Sequence, residues 1–327
     1  MRLPVSVLDL VPVGSGSTAT EALRHSLELA QFADRAGFTR YWFAEHHGMP
    51  SIASSVPEIL IARTAAATER IRVGSGGIMM QNHVPLKLAE AFHTLEALYP
   101  GRVDLGGRRT IKKDPTTSRA LRPFSPAQFT EQLNEMTGMS GATLGGDHPF
   151  KSVRVVPAGV ELPPIWLLGS SGASAGLGYS FASHFSPAPA APALDAYRAA
   201  FRPSARFPQP HTILAVAAIC ADSEEEADHL AYTTDLVWVR LQRGEFGPLP
   251  SPEEGRAHSF TPQERAVADN YRRLQFIGTP ESVSGRIRRA AEEAGADEIL
   301  ISSMIHSPAA RIRSFELLAK SFELHNG

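Results

Sequence analysis

Short apolar runs rich in β-branched residues alternate with longer stretches of helical periodicity along almost the whole chain. Residues 5–10 (VSVLDL) read as a strand closed by the turn residues Gly14 to Ser17. Thr18 and Glu21 then have capping-box spacing, and Leu23, Leu27, Ala30 and Ala33 recur with helical period until Gly37. Strands follow at 39–44 and 71–80, separated by a helix for which Ser55 and Glu58 offer a second capping box. Pro85 opens a helix over 85–98 that stops before Pro100-Gly101, and the strand 102–106 comes next. Between 107 and 152 the pattern loosens into basic, Thr-rich and Gly-rich stretches around one helix near 126–137. It resumes with strands at 164–169, 179–185 and 212–221, and a long helix begins at Glu224. A Pro-rich loop (247–262) and two more helices lead to the strand 297–305, and a helix over 308–324 follows.

Eight strands, each followed by helical material, imply parallel pairing, because a parallel crossover needs a helix-sized connection. The pattern predicts a (β/α)8 TIM barrel as one domain over 1–327, with an irregular insertion at 107–152 and a loop-and-helix insertion at 244–280. An open doubly wound sheet is the competing arrangement.

Chemistry in such a barrel gathers at the C-terminal strand ends. The predicted ends carry Asp9, Glu45-His46-His47, Gly76-Gly77 with Gln81-Asn82-His83, Gly106 to Arg109, Gly169 to Ser171, His184 and His306. Strand ends meet solvent in any barrel, so each histidine also has an ordinary structural reading. Metal binding is not expected: His46 and His47 point to opposite faces of an extended segment, and no HExxH spacing occurs. The paired glycines of SGG (75–77) mark either a bulge or a close approach to the backbone. GSSGASAG (169–176) reads as strand, small-residue turn and helix start, which suits a phosphate or is a plain helix cap. No GxSxG elbow supports a serine hydrolase.

Composition narrows this further. Thirty-two Lys and Arg against 34 Asp and Glu leave a net charge of -2, which points to neither nucleic acid nor an anionic membrane as a partner. The lone Cys220, within an apolar run, rules out an internal disulfide and reads as an inert core residue. The first seventeen residues, broken by Pro4, Asp9 and Pro12, make a poor signal peptide. A cytoplasmic protein is the expectation.

The combination EHH (45–47), VGSGG (73–77), NHVPLKLAE (82–90) and PGRVDLG (100–106), with PIWLLGSSGASA and ADEILISSMIHSPAARIRSFELLA further on, resembles the bacterial luciferase-like flavin monooxygenases. That resemblance implies reduced FMN from a separate flavin reductase, dioxygen, and a hydrophobic small-molecule substrate. It makes His46 the acid–base residue. It also places Gly76-Gly77, joined by a cis peptide, and Asn82 near the flavin ring, with Arg109, Ser170, Ser171, Gly172 and Ala173 at its phosphate. A homodimer through the helices 55–68 and 85–98 is implied as well, and their many alanines would let helices approach closely. A deazaflavin-dependent hydride transferase and a non-catalytic binding protein are the alternatives. One departure stands out: relatives carry DLGLGRAPGTDP where this chain reads DLGGRRTIKKDP. Arg108, Lys112 and Lys113 are expected to form a solvated loop, leaving an FMN site of micromolar affinity or weaker, about -8 kcal/mol.

Overall fold

The structure is a computed structural model that describes residues 3–109, 115–121, 128–169, 176–186 and 188–324. Its first half runs β1 (Val5–Asp9), α1 (Ala19–Ala36), β2 (Arg40–Phe43), α2 (Pro57–Ala65), β3 (Arg72–Ser75), β4 (Ile78–Met79), α3 (Pro85–Leu98) and β5 (Val103–Arg108). Then come α4 (Pro115–Leu121), α5 (Gln128–Ser140), β6 (Ile165–Gly169), β7 (Gly178–Ala182), α6 (Ala190–Ala200) and β8 (Thr212–Cys220). The remainder is α7 (Glu224–Gln242), α8 (Pro252–Ala257), α9 (Pro262–Arg272), β9 (Gln275–Gly278), α10 (Pro280–Ala294), β10 (Glu298–Ser302) and α11 (Pro308–Ser321).

Eight parallel strands close on themselves in the order β1, β2, β3, β5, β6, β7, β8, β10, and β10 pairs back onto β1. This is the (β/α)8 barrel, and helices surround it. The expected strand 71–80 is split in two by the glycines, and β9 was absent from the sequence expectation. β4 continues the line of β3 and pairs with the end of β5, while β9 adds itself to the outer half of β8. β9, Gln-Phe-Ile-Gly, is half-buried at its two central residues and sits between two helices, so no buried apolar run marks it.

Strand alternation divides the side chains. Val5, Val7, Tyr41, Phe43, Val73 and Ile299 belong to the large core cluster between barrel and helices. Leu8, Trp42, Trp166, Ile213, Ala215 and Leu300 form a second cluster that fills the barrel interior. Below them a polar floor closes the N-terminal end. Arg40 bridges Asp104 (2.8 Å) and Glu298 (2.9 Å), Arg72 also reaches Asp104 (2.6 Å), and the indole N–H of Trp42 donates to it at 3.1 Å. Asp104 and Glu298 are fully buried, yet both carboxyls titrate below their ordinary range: burial would raise them, and the arginines outweigh it. Removing one member would strand the others' charges, a loss of about 3–5 kcal/mol for a buried pair.

Helix entry follows the residues locally. Thr18 and Glu21 form the expected capping box, with the Thr18 N–H donating to Glu21 at 2.8 Å. The second expected box is not formed: Pro57 takes the first helical position of α2, so Val56 becomes the cap and Ser55 lies one residue outside. Ser251/Glu254 and Thr261/Glu264 form boxes at α8 and α9 instead. Among the described residues no helix is long and apolar enough to cross a membrane.

Candidate active site at the C-terminal barrel mouth

Within β5, the alternation that aims Asp104 and Gly106 into the barrel aims Arg108 inward as well, and its register partner Leu168 packs with the interior cluster. The Arg108 guanidinium donates from Nη2 to the backbone oxygen of Glu45 at 2.8 Å. Its Nε is closed off from solvent and has no hydrogen-bond partner. Burial lowers its pKa, and the nearby Glu45 charge works against that shift. The expectation of a solvated Arg108 is therefore corrected. The residue continues a strand, and strand geometry overrides the basic, loop-like composition around it.

Across the mouth, β2 runs on into Ala44, Glu45, His46 and His47. The Ala44 N–H donates to Asp9 O at 3.0 Å, and the His46 N–H donates to Ser54 O at 2.9 Å. His46 follows the inward-facing Trp42 and Ala44 in the same alternation, and its Nδ1 is buried. Glu45, on the opposite side, is fully buried and collects three partners. His47 Nε2 lies 2.7 Å from its carboxylate, His83 Nε2 lies 3.0 Å away, and the Met79 N–H donates at 2.7 Å. Burial would raise the Glu45 carboxyl, but these partners outweigh it and hold it at about 2. His83 moves the other way. Burial disfavours its charge, and the Glu45 hydrogen bond and charge, helped by Glu58, raise it above its ordinary value.

His184, just past β7, completes the mouth. It is buried, its Nδ1 is 3.2 Å from Ala215 O, and burial pushes its pKa down to about 4, assisted by the Arg108 charge. At neutral pH it is an uncharged imidazole. Phe185, about half exposed, lies with its ring centroid 4.1 Å from that of His184.

The other expected site residues separate. The Gly76–Gly77 peptide is cis. Barrel packing accounts for the glycines around it: a Cβ on Gly76 would stand 2.7 Å from Leu8 Cδ1, and one on Gly106 would stand 2.0 Å from Ser75 O. Asn82 sits in the 3-10 turn Met80–Asn82 and donates from Nδ2 to Met79 Sδ at 3.5 Å. Arg109 points away from the mouth, exposed, with its guanidinium 5.5 Å from the centroid of the Phe129 ring on α5. Ser170, Ser171, Gly172 and Ala173 lie outside the described residues, as do Lys112 and Lys113. His306 ties loops together, its Nε2 3.2 Å from Ser15 Oγ, which donates to Glu254 at 2.5 Å. Among the described residues no group of His, Cys, Asp and Glu is arranged to hold a metal ion.

Comparison with known proteins fits this geometry. The family model for luciferase-like monooxygenases matches residues 3–298. The chain belongs to that family. A luciferase-like monooxygenase of Escherichia coli (strain K12) is 40% identical over 321 residues, covering 95% of each chain. The N-acetyl-S-alkylcysteine monooxygenase of Bacillus subtilis (strain 168) is 32% identical, covering 96% of this chain and 97% of that one. Among solved structures, apo-MsnO8 covers 100% of both chains with a TM-score of 0.86 at 36% identity. The oxygenating constituent of 3,6-diketocamphane monooxygenase from Pseudomonas putida, a complex with FMN, has a TM-score of 0.67 at 18% identity and covers 98% of both chains. That last likeness establishes the shared fold alone.

The polar groups of the mouth suit a ligand with a polar edge. Arg108 Nε offers an enclosed N–H donor with nothing to meet it, and Leu168 and the histidines line the same end of the barrel.

Proposed function

We propose that this luciferase-like monooxygenase takes reduced FMN from a separate flavin reductase and inserts one atom of dioxygen into a hydrophobic small molecule. The observation that carries the reading is the placement of His46, beyond the end of β2, and of the neutral His184, beyond β7, at one barrel mouth. An FMN-bound relative of the same fold supports the choice of cofactor. When bound, the flavin supplies the activation of dioxygen, and the protein supplies position, dryness and protons. His46 exchanges a proton with the reacting group, since an imidazole titrates near neutral pH. His184, held neutral, presents a ring that does not repel a cationic neighbour such as Arg108. Asn82 and the Gly76–Gly77 backbone border the ring, and residues 170–173 hold the phosphate, whereas Arg109, turned out over Phe129, takes no part. The barrel interior below, closed by Trp42 and Trp166, keeps water away from the reaction.

The test uses the reductase, NADH, FMN and isotopically labelled dioxygen, with a panel of hydrophobic candidates scored for label incorporation. His46→Ala should bind FMN as the wild type does and lose oxygenation on the order of 100-fold. Equal incorporation by the variant and the wild type would remove His46 from the chemistry. Deazaflavin reduction without label incorporation would replace oxygenation by hydride transfer.

A further inference from the structure

Among the described residues Arg108 forms no ion pair of its own. The carboxylate of Glu45, whose charge acts on Arg108, is already engaged by His47, His83 and the Met79 N–H, and Arg108 meets its backbone oxygen. No salt bridge involving Arg108 occurs among the described residues, and its Nε is enclosed and unpartnered. Arg108 is partly buried, and an enclosed donor left unused is costly unless a ligand supplies an acceptor for it. The position narrows the ligand. From the end of β5 the guanidinium reaches the end of β2 through Glu45, and its charge is felt by His184 beyond β7. It therefore lies across the mouth, on the side where Phe185 exposes half of its ring. Arg109, by contrast, is turned out over Phe129.

We propose that Arg108 is the specificity-determining residue of this site, and that it selects an organic substrate bearing one carboxylate on an apolar body. The carboxylate accepts from Nε and the free edge of the guanidinium, and the apolar body lies against Phe185. A partly buried charge-assisted pair of this kind rejects the uncharged analogue, because the analogue leaves the enclosed Nε unsatisfied. The reading rests on the mouth being the oxygenation site. It differs from a cofactor role for Arg108, in which the same cation would serve the anionic ring or phosphate of FMN.

Isothermal titration calorimetry separates these roles, with 4-phenylbutyrate and its methyl ester as probes, on the protein both free and saturated with FMN. The wild type should bind the acid at least about tenfold more tightly than the ester, about 1.4 kcal/mol. Arg108→Gln should erase that preference while its FMN affinity stays within about threefold of the wild type. Arg108→Lys should restore part of the preference, and matching melting curves for both variants exclude unfolding as the cause. Three results overturn the proposal: acid and ester bound equally by the wild type, neither bound, or a preference that survives Arg108→Gln. A tenfold loss of FMN affinity in Arg108→Gln with the acid preference intact would assign the cation to the cofactor. Failure of FMN to bind the wild type would count against the flavin reading alone, since the acid–ester comparison on free protein still reports on Arg108.

Discussion

Glu45 and His83 are a pair whose protonation states stabilise each other. The folded pKa of Glu45 is depressed to about 2, so its contribution is present above its ordinary value of 4.5 and is lost as the pH falls through about 2. The pKa of His83 is raised, so its contribution is complete below its ordinary value of 6.5 and is lost as the pH rises through its folded value. The clamp between the β2 end and the segment 79–83 is therefore fully engaged between pH 4.5 and 6.5 and weakens on the alkaline side. Glu45→Gln removes the charge and leaves His83 buried beside a neutral amide. The His83 ring should then titrate below 6.5 in an NMR pH series, whereas in the wild type it should titrate above that value. A His83 pKa unmoved by Glu45→Gln would show that Glu58, 4.0 Å away, holds the proton instead. This network was half legible in the residues. Glu45, His47 and His83 stood on predicted strand ends, but which of them touched depended on a turn that brings 79–83 back over β2. The inward direction of Arg108 is written in the strand itself. Asp104, Gly106 and Arg108 share one parity, and composition drew attention to the loop beyond them.

At the scale of elements, apolar runs separated by helical periodicity located every barrel strand, because the residues flanking even the four-residue strands continue the buried run. Start signals were weaker guides. Ser55 and Glu58 have capping-box spacing, but Pro57 between them fixes where α2 begins. The helix faces also change the case for self-association. Ala65 and Ala89, expected at a helix–helix contact between subunits, are buried against this chain's own barrel. Large apolar residues lie outside instead: Ile59 is 67% exposed, and Val56, Val84, Leu98 and Leu23 are each more than a third exposed. They belong to α1, α2, α3 and the segments that enter them, and α2 packs beside both neighbours. An apolar surface spread over adjacent helices needs a cover, and a two-fold dimer is the commonest one. Light scattering at micromolar concentration should give twice the chain mass of 35.3 kDa for the wild type and the monomer mass for Ile59→Arg. A monomeric wild type would leave that surface exposed and the dimer reading wrong.

For the whole molecule, the two ends of the barrel do different work. The N-terminal floor spends its charges on one another, as Arg40, Arg72, Asp104 and Glu298 pair in full. The C-terminal mouth carries Arg108, His46 and His184 at the strand ends, the end where barrels of this kind place their chemistry. Luciferase-like ancestry was readable from motifs spread over the chain, whereas the charge left over at the mouth became visible only once the strands were closed into a barrel. The central claim is that this mouth is an FMN site, and equilibrium dialysis of the purified protein against FMN, with anaerobic reduction in a parallel cell, tests it most directly. One FMN per chain should be bound saturably in the micromolar range, about -8 kcal/mol, with the reduced form held at least as tightly as the oxidised. No saturable uptake of either form at concentrations on the order of a hundred times higher, about 3 kcal/mol weaker, would contradict the account.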